Sequence, residues 1–410
     1  MSRRLSAAAR ALAAGLALAA GFACAGAFYD TPFERKPQVR ALTALGRTLF
    51  FEPALSASGG LACASCHDPR HAFAPSNALP VQRGGAALET PGLRAVPSLM
   101  YRAFTPAFDE HFRDTDGNDA VDQGPAGGYD WDGRAASAHE QAAGPLLSPF
   151  EMGNASAAAV VQRLRGSPAA PAFRAAFGPH ALDDDSRAWN GLLWALEVFQ
   201  QDPVTFAPFS SRFDRFLRGE AELDEAERRG LAAFNDPARG NCASCHPSGM
   251  VHGAMPLFTD FGHVALALPR NPRIAANADP AFFDLGLAGP LRQDLAATVD
   301  HCGRFKTPSL RNVATRGAFF HNGVFHRLDE AVRFYAERDL DPARYYGRDA
   351  AGRPNPPDDL PPACRDAVHR EPPFGERPVG GPALTEAEVQ DIVSFLRALT
   401  DEGKAEGPMR

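Results

Sequence analysis

Cys63-Ala64-Ser65-Cys66-His67 returns unchanged as Cys242-Ala243-Ser244-Cys245-His246, 179 positions further on. Two thiols three positions apart, followed at once by an imidazole, form the attachment pattern of a c-type haem. The cysteines bond the porphyrin and the histidine is placed to bind its iron. One copy alone is also compatible with half of a zinc or redox site. Two copies, each followed by further iron-ligand candidates, point to two haems. Cys63, Cys66, Cys242 and Cys245 are then the attachment residues, and His67 and His246 the proximal iron ligands.

The chain has 410 residues, 45% of them hydrophobic, enough for two or three domains with ordinary cores. Its net charge of -7, with acids and bases interspersed, gives no reason to expect nucleic acid as a partner. Met1-Ser2-Arg3-Arg4, the apolar run Ala11 to Ala23 and the small residues Ala25-Gly26-Ala27 read as an export signal over 1–27. Its removal takes away three arginines and no acids, leaving 39 basic against 49 acidic residues, a net -10. Lipid attachment at Cys24 is the weaker alternative, because Gly21-Phe22-Ala23 lacks the leucine usual at such a site. No other stretch is long and apolar enough to span a bilayer. Periplasmic export suits c-type haem and an oxidising compartment. There Cys302 and Cys364, the two cysteines left over, either pair in a disulfide or remain separate buried thiols.

Apolar periodicity predicts helices over 38–51, 155–165 and 186–200, the last with Trp189, Leu192, Leu193, Leu196 and Phe199 on one side. Another runs from Ala136 to Gly144 and is ended by Pro145. The pattern breaks over 201–223, which marks the domain boundary. Beyond it Leu223-Asp224-Glu225 opens a helix whose Gly230, Leu231 and Phe234 echo Gly46, Leu49 and Phe50 before the first haem motif. Thr385 and Glu388 form a capping box ahead of a helix carrying Val389, Ile392, Val393, Leu396 and Leu399. The Pro/Gly/Ala-rich residues 68–96 form a long loop suited to wrapping a haem face, and 104–130 is a further irregular stretch, acidic and glycine-bearing. The expected fold is mostly α, with few strands. Two cytochrome c-like domains, 28–210 and 211–410, each bind one covalent c-type haem and carry long loops.

The segments Leu45-Gly46-Arg47-Thr48-Leu49-Phe50-Phe51, Trp131-Asp132-Gly133-Arg134-Ala135, Glu140-Gln141 and Pro149-Phe150-Glu151-Met152 resemble the bacterial dihaem cytochrome c peroxidases. So do Phe305-Lys306-Thr307-Pro308-Ser309-Leu310-Arg311-Asn312 and His321-Asn322-Gly323, in the family's order over nearly all of the mature chain. Within that superfamily the chain most resembles the MauG branch. It looks closest to the MbnH-like enzymes, which oxidise tryptophan in a partner protein.

Tyr335 lies on a predicted helix with Leu328, Ala331 and Val332, where pattern alone allows a core tyrosine. The resemblance implies more. The sixth ligand of the family's C-terminal haem stands 14 positions beyond the His-x-Gly histidine, a methionine in most peroxidases and a tyrosine in MauG; counting from His321 gives Tyr335. A tyrosinate is a hard anionic donor that stabilises oxidised iron. His252, His263, His301, Met250 and Met255 remain as rival sixth ligands. The first haem, with no evident sixth ligand, is then the peroxide site, and His71 is too close to His67 to reach its other face. The resemblance makes Glu151 and Gln141 the distal pair: Glu151 a base and then an acid, Gln141 a hydrogen-bonding guide. It also makes Trp131 a relay between the haems. Trp189 and Trp194 could carry oxidising equivalents outward, though helix packing explains them equally. Arg134 and Arg311 are candidates to neutralise haem propionates. The family's calcium between the haems would sit near Ala95, Arg316 and Ala318. Here Ala95 replaces an asparagine, and Arg316-Gly317-Ala318 a Thr-x-Pro.

The function implied is a periplasmic peroxidase-type oxidoreductase that uses high-valent haem iron to oxidise a side chain, tryptophan above all, of a small exported partner protein. Two alternatives stand beside it: a dihaem cytochrome c peroxidase that takes electrons from a small redox protein to reduce hydrogen peroxide, and a non-enzymatic electron carrier.

Overall fold

The computed structural model describes residues 28–113, 122–296, 298–375 and 381–403. The expected signal segment and Cys24 lie outside the described residues. The molecule is mostly helical with little sheet, as the sequence predicts. Helix α1 (Val39–Phe50) buries Leu42, Leu45, Leu49 and Phe50 along one stripe. It packs on α5 (Asp185–Gln200), whose Leu192, Leu193, Leu196 and Phe199 are buried in turn. With α2 (Ala138–Leu147), α3 (Ala157–Gly166) and α4 (Ala170–Phe177) they enclose a first core running from Leu42 to Ala207. A second core runs from Phe213 to Leu399. It is built on α6 (Glu225–Asn235), α7 (Leu328–Glu337) and α8 (Glu386–Arg397). Sheet is confined to two antiparallel ribbons, β1 (Arg83–Gly84) with β2 (Thr90–Pro91) and β3 (His263–Ala265) with β4 (Arg304–Lys306).

Side-chain caps set the helix starts. Asp224 with Glu227 and Thr385 with Glu388 close reciprocal capping boxes, while Ser137, Ser156 and Asp184 cap α2, α3 and α5. Pro145 does not end α2, which continues to Leu147. In the last turn the missing amide costs one hydrogen bond, and Ser148 N donating to Gly144 O still closes the helix. The stretch 201–223 is less irregular than its pattern, since Pro203–Phe206 and Arg212–Leu217 are short helices.

The echo between Gly46 and Gly230 has a structural counterpart. A Cβ on Gly46 would overlap the Ala195 carbonyl of α5, and one on Gly230 the Asp391 carbonyl of α8. Each helix preceding a Cys-x-x-Cys-His motif therefore lies backbone to backbone against the closing helix of its own core.

Polar groups join the two cores. Arg94 is buried between Asp132 (2.7 Å) and Asp284 (2.7 Å). The Asp401 carboxylate accepts from Tyr101 Oη and Asn312 Nδ2, and from Ser210 N. Cys302 and Cys364 are disulfide-bonded, 62 positions apart in sequence. Among the described residues no helix is long and apolar enough to cross a membrane.

Candidate functional site

Both Cys-x-x-Cys-His motifs wind into a helical turn. His67 N donates to Cys63 O (3.0 Å) and His246 N to Cys242 O (2.8 Å). The ring Nδ1 of His67 lies 2.9 Å from Phe73 O, and that of His246 lies 2.7 Å from Phe258 O. A carbonyl can only accept, so Nδ1 carries the proton and Nε2 the lone pair. Burial pushes both imidazoles down to about 4, leaving them neutral near pH 7. A neutral ring whose other nitrogen is pinned on a carbonyl is the form in which histidine binds a metal. The two accepting phenylalanines share an unusual backbone: Phe73 (φ 52°) and Phe258 (φ 56°) are both left-handed and both buried. That conformation turns each carbonyl back toward its histidine. Cys63, Cys66, Cys242 and Cys245 are free thiols. Each motif therefore fits a c-type haem in thiol number, ring orientation and ring charge.

A cavity of about 280 Å³ is lined by Cys242, Cys245, His246, Tyr335, Trp131 and Lys306 among others. Helix α7 brings Tyr335 into it, near enough that the charges of Cys245 and Cys242 are felt at the phenol, which burial pushes up. The rival ligands go elsewhere. His263 Nε2 donates to Gly127 O (3.0 Å), and His301 Nε2 meets Glu110 Oε1 (2.8 Å). Met250 and His252 are exposed, and Met255 is not part of the cavity wall.

Glu151 and Gln141 lie on the other half, and both are tied to Asp130. Gln141 Nε2 donates to Asp130 Oδ1 (3.1 Å), and Asp130 pairs with Arg134 Nη2 (3.1 Å). Glu151 is held through its backbone, its carbonyl accepting from Gly85 N (2.7 Å) and its amide donating to Ser148 O (3.1 Å). A side chain on Gly84 would strike that same carbonyl, so the approach needs glycine. Glu151 is an exposed residue whose carboxyl has protein around it. Burial, then the nearby Asp130 charge, pushes it up to about 7. Its own charge is felt at Cys63 and Cys66, which sets it beside the first motif. His71 stands apart, partly exposed, with Nδ1 3.3 Å from Asp68.

Trp131 lies in the wall of the large cavity and donates its indole N–H to Ala95 O (2.7 Å). Trp189 and Trp194 pack on the first core. Neither Arg134 nor Arg311 is a free charge. Arg134 serves Asp130 and Asp132, and Arg311 is fully buried in a two-bond pair with Asp214 (2.8 and 2.9 Å). Other cations face the cavity. Lys306 is pushed down to about 8 by burial and then by Arg102, and Arg316 to about 10 by burial.

Calcium does not fit the residues proposed for it. Ala318 O accepts from Arg316 Nε (3.3 Å), neighbouring Val96 O from Arg316 Nη2 (3.1 Å), and Ala95 O from Trp131. A hard dication needs six to eight oxygens free to turn toward it. Here the carbonyls already face N–H donors, one of them a cation.

Asp130, the Phe73 and Phe258 carbonyls and Arg102 escaped the sequence reading. Asp130 stands beside the Trp-Asp-Gly-Arg segment and could have been found there; the carbonyls leave no trace in residue identity.

A family profile described as di-haem cytochrome c peroxidase matches residues 40–222. The chain is 37% identical over 380 residues to the methylamine utilization protein MauG of Paracoccus denitrificans, covering 90% of this chain and 91% of that protein. The crystal structure of the diheme peroxidase BthA from Burkholderia thailandensis matches with a TM-score of 0.77 at 42% identity, covering 88% of this chain and 86% of that one. A MauG-like protein associated with microbial copper homeostasis matches with a TM-score of 0.62 at 25% identity, covering 93% of this chain and 96% of that one.

Proposed function

The chain belongs to the di-haem cytochrome c peroxidase family that includes MauG and is a peroxidase-type oxidoreductase, and we propose that it oxidises a side chain of a partner protein at the expense of hydrogen peroxide. The observation that carries this reading is Tyr335 in the wall of the cavity that holds Cys242, Cys245 and His246. Two c-type haems, one per Cys-x-x-Cys-His motif, supply the redox-active iron when bound. His67 and His246 offer Nε2 to them, and Tyr335 offers its phenolic oxygen to the second. That leaves Glu151 and Gln141 as the residues that handle peroxide.

Reduction of peroxide to two waters consumes two electrons and two protons. A carboxyl near pKa 7 is present in both forms at neutral pH. Glu151 can take the proton from the near oxygen and return it to the departing one. Gln141, with one amide hydrogen fixed on Asp130, keeps its carbonyl and second N–H for orienting the substrate. Trp131, clamped through its indole N–H, presents an oxidisable ring in the wall of the cavity that holds His246 and Tyr335. A tryptophan on a small exported partner is the proposed electron source, reached by electron transfer through protein, so no substrate cleft is required. Domains at 28–210 and 211–410, matching the two cores, and a periplasmic location complete the reading. The Cys302–Cys364 disulfide supports the location.

Hydrogen peroxide added to the fully oxidised holoprotein is expected to give a persistent spectral change with no prior reduction. Tyr335→Met is expected to abolish it while both haems stay attached. A requirement for reduction first would favour the peroxidase that draws electrons from a small redox protein, the function in the family's own description.

A further inference from the structure

Resting on the dihaem reading, we propose that the guanidinium of Arg316 takes the place of a divalent cation between the two sites, so that this protein works without calcium. Arg316 faces both motifs. Its charge is felt at His67, and its side chain lines the cavity that contains His246 and Tyr335. It is held by Val96 O (3.1 Å) and Ala318 O (3.3 Å). Among the described residues it pairs with no carboxylate, and a buried cation without an anion is costly unless something nearby uses its field. Although burial draws it down to about 10, it stays charged at every pH the protein meets.

A dication set among these carbonyls would be repelled by the guanidinium to which Val96 O and Ala318 O are already turned. One stretch of irregular backbone links Arg316 to the indole. Ala95 O holds Trp131 Nε1 while Val96 O, the next carbonyl, holds the guanidinium. Arg316 is therefore a positioning residue for Trp131 as well as a fixed positive charge. The exchange alters the chemistry in one respect. A bound dication can be removed and titrated, whereas a guanidinium on the chain can be lost only by mutation.

The test uses the holoprotein. Metal analysis after desalting is expected to find calcium far below one per chain, and treatment with EGTA is expected to leave the haem absorption bands and the peroxide-induced spectrum unchanged. Stoichiometric calcium, or bands that change with EGTA and return with calcium chloride, overturns the proposal. Haem content measured on the same sample keeps a failure of the dihaem reading separate. Arg316→Gln removes the charge and should shift the reduction potential of both irons negative, because a nearby positive charge favours the reduced state. Arg316→Lys should restore much of that shift. Potentials unchanged in Arg316→Gln would show that the guanidinium is not the charge between the sites.

Discussion

Glu151 owes its proposed role to its surroundings. A glutamate free in water is a poor proton carrier at neutral pH because it is almost wholly ionised. Crowding by protein and the Asp130 charge bring this one to about 7. The rate of reaction with peroxide should therefore rise with pH through a single inflection near 7. Glu151→Gln should flatten that profile and slow the reaction by roughly 10²–10⁴-fold, measured by stopped-flow absorbance. Stability has its own signature. The folded-state value lies above the unfolded 4.5, so folding takes up a proton between about 4.5 and 7, and stability falls as pH rises through that window. In Glu151→Gln that part of the fall should vanish from denaturation curves collected across the window. Cys63, Cys66, His67 and their repeats were legible from spacing alone, because attachment chemistry dictates residue type and order. Glu151, Gln141 and Tyr335 became legible only through family resemblance, since a carboxylate, an amide and a phenol at those positions have ordinary uses. Asp130 and Arg316 act through what they touch, which one-dimensional pattern does not record.

Helices α1 and α6 show how far periodicity carries. The start of α6 at Leu223-Asp224-Glu225 was readable, and so were the stripe of α1 and the match between Gly46 and Gly230. The reason for the glycines was not, because it lies on α5 and α8, far along the chain. A methyl group at either position must push a carbonyl aside. Gly46→Ala and Gly230→Ala are each expected to cost roughly 1–3 kcal/mol in urea unfolding, with the helix content of the native state unchanged. Gly46→Ala should also loosen the turn at Cys63, and Gly230→Ala the one at Cys242, because each helix leads into its motif. Short helices such as Arg212–Leu217 eluded the pattern since a stripe needs about two turns to declare itself.

Across the whole molecule, burial of charge between the cores governs how the halves behave together. Arg94 exposes 6% of its side chain and satisfies Asp132 and Asp284 at once. Arg94→Ala would leave two carboxylates without their shared cation. It should cost roughly 3–5 kcal/mol and separate a single unfolding transition into two, visible when fluorescence and haem absorbance are followed together. The disulfide acts on a different part. Cys302 and Cys364 close a covalent ring of the chain, and Lys306, Arg311, Arg316, His321 and Tyr335 all lie within it. Glu151, Gln141 and Trp131 lie outside. Closing such a ring contributes roughly 2–4 kcal/mol, and a cell interior that keeps thiols reduced withholds it. The choice of production host thus becomes a hidden variable. The same gene expressed in a reducing cytosol would yield a chain without that covalent ring, whose tyrosine side is slack while its glutamate side is sound.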